Sequence, residues 1–378
     1  MLTVVLILSC QTDNPQVISR QEIEEYSYKT PCILKDGWET AQPDPPSISV
    51  GMLEEGVGAI RHGDYPNIHS ILIACQGKLI FEEYFPGYTF KGEWREFDYK
   101  TPHTLQSVTK SVTSLVMGIA CDQGYIESID TGIFDWYPEY KRRDRDEKEA
   151  ITLRHMLTMQ SGLDWDGWSR SIFSWFHDLN RSYRSRDPIA YVLRKKLVHE
   201  PGTTFNYSSG SSNVLGDIVS RSTSQSFDEY AEQHLFRPLG ITDAHWDTPH
   251  PGIVCTSGGL RLRPRDLLKI GQLILQDGEW DGRQIVSRGW LEQSLAPSVK
   301  VFEDIDYGFQ WWRPEAVLPA SGKILEPFVA AGTGGQYLMV FPELQCVLVI
   351  TGGNYRSEDW SEKWYKDFFL PALIVSAG

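Results

Sequence analysis

Ser107-Val108-Thr109-Lys110 places a hydroxyl and an amine three residues apart. In a helix, side chains at i and i+3 lie on one face, about a turn from each other. A serine hydroxyl is a poor nucleophile, and a lysine amine held beside it out of water can accept its proton. The chemistry implied is acyl transfer through a covalent intermediate. No other Ser-x-x-Lys occurs in the chain, yet composition alone supplies roughly one in a sequence this long. The pair therefore needs support from other segments. One is Glu200-Pro201-Gly202-Thr203-Thr204-Phe205-Asn206-Tyr207-Ser208-Ser209-Gly210, which puts Tyr207 on a loop just before a helical run. Another is Ala331-Gly332-Thr333-Gly334-Gly335-Gln336-Tyr337, a glycine-rich lead into a strand.

The elements that must position these residues follow from periodicity. Leu105, Val108, Val112, Leu115, Val116 and Ile119 recur at helical spacing within Thr104–Gln123, while Ser107, Lys110, Ser111, Ser114 and Gly118 form a second face. This pattern predicts a central helix, packed into a core on one side and bordering a cavity on the other. Met52–His62 reads as a short helix. Ser70–Cys75 and Lys78–Phe85 read as a hairpin turning at Gln76-Gly77. From 125 to 250 the chain reads as helical and loop-rich, with helices at Ile151–Met159, Asp187–Lys196, Ser212–Ser222 and Phe227–Phe236. Ser161-Gly162 is assigned to a structural helix stop. After Gly258-Gly259, helical spacing resumes through Leu275. Strands follow at Phe328–Ala331, Tyr337–Phe341 and Cys346–Thr351, and Trp360–Val375 closes the chain as a helix. The expected fold class is α/β (α+β): an antiparallel sheet flanked by helices and built from both chain ends, with an inserted all-helical domain. Expected boundaries are 1–49 for a leader and tether, 50–124 with 251–378 for the sheet domain, and 125–250 for the helical domain.

Bulk properties narrow the function. The chain has 378 residues and a net charge of −14. Such a surface repels nucleic acid and anionic membranes, so no nucleic-acid partner is expected. Thirteen Trp and 17 Tyr supply core packing or an aromatic-lined pocket. The nine His form no HxxxH or HExxH, so neither a metal nor another cofactor is implied. Cys75, Cys121 and Cys346 sit in apolar runs and read as small core residues.

Taken together, the Ser107–Lys110 pair, Ile151–Leu163, the Tyr207 segment and the Gly332–Gly335 segment resemble the serine β-lactamase-like superfamily. The similarity is to the branch of class C β-lactamases, esterases and 6-aminohexanoate-oligomer hydrolases. It runs from about Gly77 to Asn354 and includes Arg237-Pro238-Leu239-Gly240-Ile241 and Tyr307-Gly308-Phe309-Gln310-Trp311-Trp312. The resemblance implies Ser107 as nucleophile, Lys110 as its partner and Tyr207 as base or proton relay. It also places Ser209, Thr333, Gly334 and Gly335 against substrate. Ser209 stands where the family's Tyr-x-Asn has Asn, and Thr333 where its Lys-Thr-Gly or His-Thr-Gly has a cationic or imidazole residue. Both changes disfavour efficient β-lactam turnover. Backbone N–H groups of Ser107 and Gln336 would hold the oxyanion. A cation beside Tyr207 would favour tyrosinate, while burial would disfavour the lysine ammonium, so either group could take the Ser107 proton. The expected substrate is a small ester or amide, with carboxylesterase or small-amide hydrolase favoured. The alternatives are a class C-type β-lactamase or D,D-peptidase, or a non-catalytic envelope binding protein of the same fold. Asp164–Arg186, rich in Trp, Phe and Tyr, is expected to form part of the substrate wall.

At the N-terminus, the apolar run Leu2–Leu8 is followed by Ser9-Cys10-Gln11. This resembles the end of a bacterial lipoprotein signal, although no Lys or Arg precedes the run. It implies export to the periplasm or membrane, with lipidation at Cys10 and attachment through that lipid.

Overall fold

The computed structural model describes residues 25–43, 48–140, 146–167 and 174–374. Cys10 and the apolar leader lie outside the described residues. Strands from both ends of the chain meet in one sheet. The strands of the chain's two larger sheets are β1 (Glu39–Thr40), β2 (Ile68–Cys75), β3 (Lys78–Tyr84), β4 (His103–Thr104), β5 (His245–Trp246), β6 (Leu260–Leu262), β7 (Val299–Phe302), β8 (Ile305–Tyr307), β9 (Trp312–Pro314), β10 (Phe328–Gly332), β11 (Gln336–Phe341) and β12 (Cys346–Gly352). The nine-stranded sheet runs β1-β3-β2-β12-β11-β10-β9-β8-β7, and β4, β6 and β5 form a small separate sheet. All pairs in the large sheet are antiparallel except β1 with β3.

β2 reads as one unbroken apolar run because both of its faces are covered. Leu72 and Ala74 face one core and Ile71 and Ile73 the other. On the first side lie helices α2 (Val108–Asp122) and α8 (Pro264–Leu275), continuous with the helical region. On the second lie α1 (Val50–His62) and the closing helical segment from Trp360 to Ala372, with Leu53, Val57, Trp364 and Phe369 buried against the sheet. Between them in sequence come α3 (Leu153–Leu157), α4 (Asp178–Arg184), α5 (Pro188–Leu193), α6 (Ser209–Thr223) and α7 (Phe227–Ala231). Among the described residues from 125 to 250, β5 is the one strand. α9 (Arg288–Leu295) sends Trp290 against Gly118 of α2.

Three expectations change. The described part of the N-terminal arm is not a free tether. β1 adds a parallel edge strand to β3, the Tyr28 hydroxyl donates to the Ile80 carbonyl (2.8 Å), and Trp38 Nε1 donates to the Arg265 carbonyl (3.1 Å). Short polar segments read as linkers, and only a neighbouring strand edge reveals that one of them pairs. Beyond its first turn, the polar residues of α2 also meet packed backbone. Ser111 Oγ donates to the Gln310 carbonyl (2.6 Å) and Thr113 Oγ1 to the Thr256 carbonyl (2.8 Å), so hydroxyls that disfavour helix interiors find buried partners. Cys75 and Cys346 are not thiols but a disulfide: the β2–β12 register sets them opposite each other, with Cα atoms 4.1 Å apart. A separation of 271 residues hid that pairing.

The bond closes most of the chain into one loop, which restricts the unfolded state far more than the folded one. Replacing both cysteines by alanine should cost about 2–4 kcal/mol, measured by urea unfolding. An equal cost on adding reductant to the wild type would confirm that the bond is its source.

Candidate active site

Ser107 stands where β4 turns into α2. The Leu105 N–H donates to the Leu260 carbonyl (2.9 Å), continuing the β4–β6 pairing up to the turn. Gln106 then takes a left-handed backbone (φ 49°), a costly conformation for a non-glycine residue that reorients the chain just before the serine. A buried histidine pair braces the same strand: His69 Nδ1 of β2 lies 2.8 Å from His103 Nε2 of β4. Burial lowers both imidazoles, His103 to about 4, so the pair shares a hydrogen bond as neutral rings.

One turn into α2, Lys110 is 1% exposed. Its Nζ lies 2.9 Å from Ser107 Oγ, donates to the Ser257 carbonyl at 2.6 Å and sits 5.0 Å from the Tyr207 ring centroid. No carboxylate pairs with it among the described residues. Burial holds the amine down to about 7, opposed only in part by Cys255. The Tyr207 phenol hydrogen-bonds Ser107 and is pushed up to about 12 by burial. The tyrosinate expectation therefore fails. With its ammonium disfavoured, Lys110 has no lasting charge to stabilise a phenolate, and desolvation wins. Near neutral pH the amine lies near its titration midpoint, so a large share is uncharged beside a serine hydroxyl and a protonated phenol.

Tyr207 is placed by its loop. Asn206 Nδ2 donates to the Leu163 and Trp165 carbonyls (both 3.1 Å), its N–H donates to the Met159 carbonyl (2.7 Å), and Ser208 caps α6 through the Ser211 N–H (3.0 Å). The Tyr207 ring stacks on Trp312 with centroids 5.7 Å apart. α3 ends at Leu157 and the chain turns at Met159 (φ 59°), so Ser161-Gly162 belongs to the following loop and not to the helix stop. Ser209 opens α6 half-exposed, and Thr333 is exposed.

The expected second oxyanion donor is Gln336, through its backbone N–H. It opens β11, a strand flanked on both sides, and locks its side chain to β12: Nε2 donates to the Gly352 carbonyl (2.6 Å) and Oε1 accepts from the Gly352 N–H (3.2 Å). The residue packed against Ser107 is Gly332. A Cβ there would lie 2.4 Å from the Leu105 carbonyl oxygen and 3.0 Å from the Ser107 nitrogen. β10 pairs with β9 only at Val329, so Ala330–Gly332 runs past that pairing toward Ser107. Neither the Ser107 nor the Thr333 N–H donates to a backbone carbonyl among the described residues. Gly334 and Gly335 serve the turn: both have positive φ (92° and 85°), and Cβ atoms there would strike Tyr355 and Ser361.

Sequence reasoning missed a second layer. The Ser257 N–H donates to Asn213 Oδ1 (3.1 Å), Asn213 Nδ2 to the Tyr183 hydroxyl (2.9 Å), and that hydroxyl to Cys255 Sγ (2.9 Å). The contact to Lys110 is a backbone carbonyl, which leaves no residue signature. Of the aromatic segment Asp164–Arg186, Tyr183 reaches this network, whereas Trp175 is 68% exposed and residues 168–173 lie outside the described residues.

The profile of the Beta-lactamase family matches residues 69–369, four-fifths of the chain and all the residues above. The chain belongs to the beta-lactamase family. Within the family it is similar to the 6-aminohexanoate-dimer hydrolase of Paenarthrobacter ureafaciens, 28% identical over 265 residues, covering 65% of each chain. Among solved structures it superposes on EstCE1, a hydrolase with promiscuous acyltransferase activity, with a TM-score of 0.68 at 16% identity, covering 85% of this chain and 98% of that one. A class C beta-lactamase gives a TM-score of 0.66 at 14% identity, covering 85% and 95%. These structural likenesses establish the beta-lactamase fold.

The Gly332 contact is steric and can be tested directly. Gly332→Ala should destabilise the fold by about 1–3 kcal/mol, read from the urea midpoint. An unchanged midpoint would mean the strand end can move away from Ser107.

Proposed function

We propose that this chain is a serine hydrolase that forms an acyl-enzyme on Ser107 from a small ester or amide, with carboxylesterase or small-amide hydrolase activity favoured. The observation that carries this reading is the Lys110 amine, 2.9 Å from the Ser107 hydroxyl and lowered to about 7. A neutral amine can accept the Ser107 proton as Oγ attacks the substrate carbonyl carbon. The oxyanion that develops would be held by the Ser107 and Thr333 N–H groups, with Thr333 taking the role expected of Gln336. As the intermediate collapses, the C–O or C–N bond breaks. The neutral Tyr207 phenol protonates the departing oxygen or nitrogen and is reprotonated from the Lys110 ammonium. Water then attacks the acyl carbonyl by the reverse use of the same groups and frees Ser107.

Ser209 and Thr333 support the ester or amide preference over β-lactams, because neither supplies the amide or cation that would hold a β-lactam's amide and carboxylate. We also propose export with lipid attachment at Cys10. The Leu2–Leu8 run supports this, as does the Cys75–Cys346 bond, a cross-link that persists in oxidising compartments.

A fluorophosphonate probe should label the wild type and not Ser107→Ala; equal labelling of both would overturn the assignment. p-Nitrophenyl acetate should be turned over in preference to nitrocefin, and Ser209→Asn should raise nitrocefin turnover. Lys110→Ala and Tyr207→Phe should each lower kcat by about 10²–10⁴-fold. Because Lys110 acts only when neutral, kcat/KM should rise with pH through a midpoint at about 7. That limb should persist in Tyr207→Phe. A limb that vanishes in this variant would make the tyrosine the base.

A further inference from the structure

Beside α4 and α5 opens a cavity of about 870 Å³ whose wall carries Arg181, Arg186, Arg194, Lys195 and Arg221. On a chain of net charge −14 this is a local reversal of sign. The cations differ in how far they are neutralised. Arg221 pairs with Asp217 and Glu139 (both 2.8 Å), and Lys195 pairs with Asp178 (2.7 Å). Arg181 reaches Asp178 only at 3.7 Å. Arg186 and Arg194 have no carboxylate within ion-pair distance among the described residues. Asp187, also in the wall, spends its oxygens on neutral donors, the Ala190 N–H (2.9 Å) and the Tyr140 hydroxyl (2.5 Å). Pro188 and Ile189 add an apolar stretch of wall.

We infer that this cavity binds a small organic or inorganic anion bearing at least two carboxylate or phosphate groups. Guanidinium forks match the paired oxygens of either group and bind them through charge-assisted hydrogen bonds. A concave wall with an excess of positive charge, five cations against Asp187 and Asp217, focuses the field on an incoming anion, and a cavity of this size suits a small-molecule ligand. Arg186 and Arg194, the latter 5.8 Å over the Tyr140 ring, supply guanidiniums with no carboxylate partner among the described residues, and Arg181 adds a weakly held third fork. The site lies outside the Ser107 machinery and does not depend on the hydrolase reading.

Calorimetric titration at low ionic strength tests the site with two probes used separately, citrate for carboxylates and pyrophosphate for phosphates. The wild type should bind at least one of them at a single site, and the tighter probe identifies the oxyanion. Arg186→Ala/Arg194→Ala should weaken that binding by about tenfold or more, with an unchanged melting temperature. A charge-matched control, Arg237→Ala/Arg288→Ala, should keep wild-type affinity. Absence of binding to the wild type, retained affinity in the Arg186/Arg194 variant, or an equal loss in the control would each overturn the site. Turnover is not part of the readout, so failure here leaves the hydrolase proposal standing.

Discussion

An amine buried without a carboxylate is the constraint around which this molecule is organised. Removing an ammonium from water costs several kcal/mol, and a paired carboxylate would have repaid that cost by fixing the charge. Here the partners of Lys110 are a hydroxyl and a carbonyl. They satisfy the amine's hydrogen bonds and leave its charge expensive, and the pKa falls as a result. The same desolvation keeps Tyr207 protonated. One physical cause thus favours the uncharged form of both groups, the free amine and the phenol.

That arrangement depends on the Ser257 carbonyl staying in place. Asn213 of α6 fixes the Ser257 N–H, and Tyr183 of α4 fixes Asn213. The helical region therefore contributes more than a wall, because it anchors the group that holds the lysine. From the sheet side, the His69–His103 pair and the close approach of Gly332 fix the turn that presents Ser107. The serine lies where these two regions meet, and its geometry is set by both.

Much of the framework was legible in the residues. β2 and β3, α1, α2 and the strands β10 to β12 follow from apolar runs and turns, since each buries a face whose period matches its geometry. Less legible were elements made by pairing alone. β1 and the short strands β7 to β9 carry weak patterns, and become strands only because an edge is available to them. Cys75 and Cys346 look like core residues until the register of β2 and β12 sets them opposite each other.

The chain by itself determined which groups could react: a Ser-x-x-Lys on one helical turn, a tyrosine on the loop before another helix, and a glycine run beside a strand. Spacing within a helix is fixed by backbone geometry, so the Ser107–Lys110 contact could be read from four residues. Only the tertiary structure decided their protonation states and the backbone around them. Desolvation depends on everything packed about a group, so no local pattern reveals that Lys110 titrates at about 7 or that Tyr207 stays a phenol. That Gly332 meets Ser107 was likewise settled by the path of β10, which runs past its pairing with β9 toward that residue.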